Sequence, residues 1–169
     1  MDMEPYHLFA AIAVGTGASL IMDIWNLFLK RLFAIASLNY CLLGRWVCYI
    51  PEGTFRHTSI AKASKRKYEC VVGWVAHYTI GVAFALVFLL IASRDWLNSP
   101  TLLPALLFGV STVVFPLFVL QPSLGLGIAS SRAPRPAQAR VKSLMTHTVF
   151  GFGLYICALG IRYVLPGHS

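Results

Sequence analysis

The chain has 169 residues, of which 57% are hydrophobic and 12% are charged, and its net charge is +8. Soluble domains carry roughly 25% charged and roughly 45–50% apolar residues, and the mean hydropathy here is +0.70. The composition therefore excludes an ordinary soluble domain and indicates a protein whose solvent is lipid.

Four long apolar segments follow one another along the chain. The second, from Cys70 to Ser93, contains no Asp, Glu, Lys or Arg, and as a helix it would be about 36 Å long, enough to cross a bilayer. We predict an all-α polytopic membrane protein, a single domain over 1–169 with a bundle of four transmembrane helices. The predicted helices cover about 8–33, 69–93, 101–121 and 142–163, and the predicted loops cover about 34–68 and 122–141.

Three local patterns refine this outline. Pro116 lies inside the third predicted helix and should kink it, because proline removes a backbone donor. The stretch 37–50 mixes aliphatic residues with aromatic residues and an arginine, which is typical of a segment in the headgroup region. The proline-rich stretch 132–142 is predicted to be an irregular loop.

Twelve of the fourteen basic residues fall at one end of the predicted bundle. Eight lie between Lys30 and Lys67 and four between Arg132 and Lys142, whereas only Arg94 and Arg162 lie at the other end. The positive-inside rule then predicts that both long loops lie in the cytoplasm and that both termini lie outside, which is the periplasm if the membrane is a bacterial inner membrane. The positive charge is thus chiefly a topology signal, with anionic lipid headgroups as further partners of the loops and no nucleic acid.

The chain has four cysteines, and they show no CxxC motif and no metal-ligand spacing. Three of them lie on or next to the predicted cytoplasmic loop, where thiols stay reduced, so no disulfide is expected. The four are Cys41, Cys48, Cys70 and Cys157.

Two predicted helices carry a histidine within a stripe of small residues. Gly73 and Gly81 flank His77 at a spacing of four, and Ser143 and Gly151 flank a second histidine, His147, in the same way. Residues four apart share a helix face, and small-residue stripes mark close helix packing in lipid. The echo allows two tandem helix pairs related by a duplication; chance similarity between apolar helices explains it equally well.

The polar residues inside the apolar segments are the main site candidates. A carboxylate near the bilayer centre costs about 2.5–3.5 kcal/mol, so Asp23 should face the bundle and have a partner. His77 and His147 are predicted at similar depth, Asn26 lies on the Asp23 face, and Gln121 ends the kinked helix. Two interpretations stay open: a structural interhelical hydrogen bond, and a proton or cation site.

Four further residues are weaker candidates for an anionic headgroup or substrate, with solvated loop charge as the alternative. These are Arg45, Arg56, His57 and Arg132. No P-loop, GxSxG, HExxH or dinucleotide-binding motif is present, so an enzyme is not indicated.

Six motifs occur in an order that resembles a known family. They are GTGASLIMDIWN, LLGRWV, FRH, GWVAHYTIG, QPSLGLGIASSRAPRP and SLMTHTVFGFGLY, spread from about Gly15 to Leu159. The chain resembles a family of small bacterial membrane proteins labelled domain of unknown function 2938. The resemblance implies a four-helix inner-membrane protein and transfers no activity.

Three functions are compatible with these observations. The preferred one is a small transport or ion- and proton-binding protein, with a homo-oligomer helping to enclose a pathway. The alternatives are a non-catalytic scaffold or accessory subunit, and a redox protein holding one haem between His77 and His147. No cofactor is predicted under the preferred function, and the metal question stays open.

Overall fold

The computed structural model describes residues 5–35, 38–92 and 94–164, and all regular structure in these ranges is helical. Three long helices, α1, α3 and α6, account for nearly half of the chain, and three shorter α-helices lie between them. Their bounds are α1 (Pro5–Phe33), α2 (Tyr40–Tyr49), α3 (Glu69–Ile91), α4 (Leu102–Ser111), α5 (Gln121–Ser123) and α6 (Pro136–Val164).

Four helical segments are long and apolar enough to cross a bilayer, and the protein is therefore a multi-pass membrane protein. They are Tyr6–Phe33, Glu69–Ile91, Leu102–Ser123 and Pro136–Val164. The prediction of four spans is confirmed. The loop predicted for 132–142 is wrong from Pro136 onward, because α6 begins at that proline. A proline in the first helical position loses only a donor that would have had no partner.

The third span is broken in its second half, as the position of Pro116 predicted. The α-helix α4 ends at Ser111, a turn follows, and the five residues from Pro116 to Leu120 form a π-helical turn that continues into α5. A proline interrupts the regular hydrogen-bond ladder, and a wider turn accommodates the break.

The spans pack in the order α3, α1, α6 and then the third span. Glycines let these backbones approach closely. A Cβ atom placed on Gly15 would lie 2.8 Å from the Gly81 carbonyl oxygen, and one placed on Gly151 would lie 2.6 Å from the Ala105 oxygen. Both distances are too short for a side chain, so the small-residue stripes do form helix contacts.

Within the stretch predicted to lie in the headgroup region, residue 37 is outside the described residues, and α2 packs along the start of α3. Gly44 faces Gly73 there, with the backbones too close to admit a Cβ on either. A disulfide joins Cys41 to Cys70 with an S–S distance of 2.06 Å. The expectation of no disulfide is therefore wrong: two cysteines that are 29 positions apart in the chain meet because α2 folds back on α3.

The bundle has two unlike ends. At the core end, where α3 finishes and the third span begins, buried apolar side chains pack against one another, including Phe88, Trp96 and Leu154. At the connector end, where α1 finishes and both α3 and α6 begin, the spans separate and leave a cavity. The candidate site lies at this end.

Candidate functional site

The carboxylate of Asp23 lies at the centre of a polar cluster between α1, α2 and α3. The Tyr40 hydroxyl donates to its Oδ1 over 2.9 Å, and the Tyr78 hydroxyl donates to its Oδ2 over 3.1 Å. The His77 Nε2 atom lies 3.2 Å from Oδ1 and 3.3 Å from Oδ2. The Asp23 and His77 side chains are only 15% and 8% exposed. Each carboxylate oxygen therefore contacts one phenol hydroxyl and the His77 nitrogen.

Tyr40 holds this cluster together from α2. Its ring stacks on the His77 imidazole, with 4.3 Å between ring centroids and 23° between planes. Burial, and secondarily the charge of the Asp23 carboxylate, raise the pKa of Tyr40 above its usual value. The phenol therefore keeps its proton and acts as a hydrogen-bond donor to the carboxylate.

The cluster surrounds the carboxylate with hydrogen-bonding partners. An ionised carboxylate accepts from several donors, and Asp23 contacts two phenols and the His77 imidazole. Such contacts offset the cost of placing a carboxylate in the membrane.

His147 lies apart from this pair and has a partner of its own. The Thr112 hydroxyl donates to the Gly109 carbonyl oxygen over 2.6 Å, and the same hydroxyl lies 2.8 Å from the His147 Nδ1 atom. A neutral imidazole can donate or accept at Nδ1 according to its tautomer, so the contact with Thr112 fixes the orientation of the His147 ring. The expected meeting of Asp23 with a histidine thus occurs with His77 and not with His147.

A cavity of about 660 Å³, which we call the connector-end cavity, lies between the spans at the connector end. Both histidines line it, and so do Asn26 and Gln121. Asp23 does not line the cavity. Its carboxylate contacts His77 and Tyr40, and both of these residues line the cavity. The cavity therefore brings together all the intramembrane candidates, with Asp23 behind the wall.

The polar groups at the edge of this cavity include one that sequence reasoning missed. The Ser130 hydroxyl donates to the Gln121 Oε1 atom over 2.6 Å, and Ser130 is 1% exposed. Ser130 and the preceding Ala129 both have positive φ angles, 59° and 49°, which non-glycine residues adopt at a cost. Thr146 contacts Asn26 at 3.5 Å, at the limit of a hydrogen bond.

Tyr40 and Tyr78 were also missed as site residues. Tyr78 directly follows His77, and Tyr40 is the first residue of α2. The sequence signal for each was a phenol close to apolar residues. A buried phenol usually has a hydrogen-bond partner, which was a reason to pair each of them with the intramembrane carboxylate.

Arg45 does not fit its predicted role in binding an anionic headgroup or substrate. It is 5% exposed, and its Nε and Nη2 atoms each donate to Glu69 over 2.8 Å. Its Nη1 atom lies within 3.0–3.3 Å of three backbone carbonyl oxygens. All of its nitrogen atoms are thus engaged inside the protein, and Arg45 instead joins α2 to the start of α3.

The three remaining weak candidates do not form one site. Arg56 is exposed on the connector between α2 and α3, and Arg132 is exposed on the connector between α5 and α6. His57 packs edge-on against the Tyr49 ring at 4.8 Å, and its backbone N–H donates to the Ser123 oxygen over 2.9 Å. His57 therefore links the connector between α2 and α3 to the end of the third span.

A haem between the two histidines does not fit this geometry well. The His77 Nε2 atom, the usual iron ligand, faces the Asp23 carboxylate, so binding iron would require that contact to break. Within 5–35, 38–92 and 94–164, no group of three or more His, Cys, Asp or Glu side chains is placed to hold a metal ion.

Comparison with known proteins gives one match. The model of a family described as "Protein of unknown function (DUF2938)" matches residues 12–161. No curated protein matches the chain. No solved structure matches it either.

Proposed function

This chain belongs to the DUF2938 family, and we propose that it is a small membrane transport protein that binds a proton at the Asp23–His77 pair. The observation that supports this is the partly buried carboxylate, in contact with His77 and two phenols, behind the wall of a cavity between the spans. An ionisable residue inside a membrane segment is by default a functional candidate.

The one-sided cavity supplies a path to the pair. His77 lines the cavity and touches Asp23, so a proton from the cavity meets the imidazole first and the carboxylate behind it. Beyond the cavity, the packed residues of the core end close the bundle. A cavity that stops at a packed region is what an alternating-access protein needs in one of its states, and this supports the proposal. A homo-oligomer would enlarge the enclosed pathway.

Proton flux into liposomes tests this proposal. The purified protein is reconstituted into vesicles that contain a pH-sensitive dye, and the external pH is lowered with potassium and valinomycin present to balance charge. The wild type should acidify the vesicle interior at least tenfold faster than Asp23→Asn. Asparagine keeps the size and a hydrogen-bond acceptor for the phenols but removes the ionisable group.

Two further variants complete this experiment. Glu52→Gln removes a carboxylate that is half exposed on a connector and should leave the flux unchanged. His77→Gln should reduce the flux as Asp23→Asn does, and each variant must elute as a folded particle in detergent. Equal flux in the wild type and both site variants would refute the proposal and favour a scaffold or accessory role.

We also propose the bacterial inner membrane as the location, with the connectors in the cytoplasm, because twelve of the fourteen basic residues lie at the connector end. The Cys41–Cys70 disulfide lies at that same end. Cytoplasmic disulfides are rare and are mostly transient or redox-sensing. In this orientation the pair should be reduced in growing cells, which alkylation of acid-quenched cells measures.

A further inference from the structure

The walls of the connector-end cavity are mainly apolar. Side chains from every span contribute, with aromatic rings at the deep end near the packed core. The larger apolar side chains on the wall are Met22, Ile80, Phe84, Phe115, Leu120 and Phe150. A volume of about 660 Å³ is in the range of sites that enclose a drug-sized molecule.

The charged groups on these walls are all basic. Arg135 lies at the entrance, just before α6, and Lys142 lies farther along α6 and is partly buried. Among the described residues that line the cavity, none is Asp or Glu. The Asp23 carboxylate lies behind His77 and Tyr40. Charge complementarity therefore favours an anion and disfavours a metal ion or an amine.

We propose that the cavity binds a single-chain organic carboxylate, with its carboxylate near Arg135 and Lys142 and its apolar chain directed toward the aromatic rings. This inference rests on the proposed transport function, since it names the class of molecule that the same site takes. A carboxylate cargo and a proton site side by side would let the protein move a weak acid together with a proton.

Displacement of a fluorescent fatty acid tests the binding. The protein in maltoside is loaded with dansylaminoundecanoate, and dodecanoate, dodecanol and dodecyltrimethylammonium compete for the site. The three competitors share one chain length and differ in the charge and chemistry of the headgroup. Dodecanoate should displace the probe at a concentration at least tenfold lower than the other two.

Variants locate the site. The double substitution Arg135→Gln with Lys142→Gln should weaken dodecanoate at least tenfold, which is about 1.4 kcal/mol, and should leave dodecanol unchanged. Arg162→Gln, on the same helix at the other end of the bundle, is the matched control and should have no effect. Ile80→Trp fills the cavity and should abolish displaceable probe binding.

Three results would overturn the inference. They are equal competition by dodecanol, no effect of the double substitution, and competition by the two-chain lipid phosphatidylglycerol at the same concentration as dodecanoate. The assay is at equilibrium without a pH gradient and does not require proton transfer. Loss of dodecanoate binding with Asp23-dependent flux intact would refute this inference alone, whereas dodecanoate binding without flux would refute the proposed function.

Discussion

The ion pair between Arg45 and Glu69 offers the sharpest test of how α2 is held on the bundle. The guanidinium donates twice to the carboxylate, both times over 2.8 Å, and the two residues are 5% and 9% exposed. The hydrogen bonds to Glu69 are the main reason why the pKa of Arg45 is raised, so it stays charged at working pH. Arg45→Met would leave a buried carboxylate unpaired, at a cost of roughly 3–5 kcal/mol.

The reverse substitution should cost less. In Glu69→Gln the guanidinium keeps its contacts with the carbonyl oxygens of 60, 61 and 63, so its charge remains partly compensated. The double variant Arg45→Met with Glu69→Gln removes both charges. It should be more stable than the sum of the single losses predicts, with a coupling energy of about 2–3 kcal/mol.

Equilibrium unfolding in mixed maltoside and dodecyl sulfate micelles, followed by tryptophan fluorescence, measures these energies. The surface pair of Glu52 and Arg66 is the control, because its side chains are 51% and 34% exposed. Glu52→Gln should cost less than about 1 kcal/mol. The reasoning fails if Arg45→Met costs no more than this control, or if the two losses at the buried pair are simply additive.

Three further outcomes follow from the packing. Tyr40→Phe removes a hydrogen bond to the partly buried Asp23 carboxylate and keeps the ring. The free energy of unfolding should therefore fall by about 1.5–3 kcal/mol. An unchanged value in the same unfolding assay would contradict the 2.9 Å contact. Gly151→Val places atoms within 2.6 Å of a carbonyl oxygen of α4 and should lower the melting temperature sharply, whereas Gly160→Val, on the same helix with nothing within 4 Å of an added Cβ, should not. Reduction of the Cys41–Cys70 disulfide opens a link between positions 29 apart. The chain-entropy model gives a loss of up to about 3.6 kcal/mol in the free energy of unfolding. Maleimide should label two cysteines of the unfolded, unreduced protein and four after reduction, which checks the link itself.

Much of the architecture could be predicted from the sequence because lipid imposes simple constraints. Each span must be about twenty apolar residues long, and its backbone groups must be satisfied within the helix. That is why the number of spans and the break at Pro116 were predicted correctly. The start of α6 was misjudged because two prolines suggested a loop, although a helix tolerates a proline in its first turn.

The intramembrane carboxylate could be singled out in the same way, because its cost in lipid requires a partner. Which partner it has was decided only by the tertiary structure. His77 and Asp23 are 54 positions apart, and the rotation of each helix about its axis depends on how side chains and glycines fit, which hydropathy does not record.

The same limit applies to α2. Its sequence indicated a segment at the membrane surface, and only its packing on α3 gives Arg45 a buried partner, joins Cys41 to Cys70 and places Tyr40 over His77. Composition and charge thus determine that this chain spans a membrane and which side chains cost free energy when they are placed inside it. The pairing of those groups is a long-range property, because it depends on the close fit of helices that are distant in the chain.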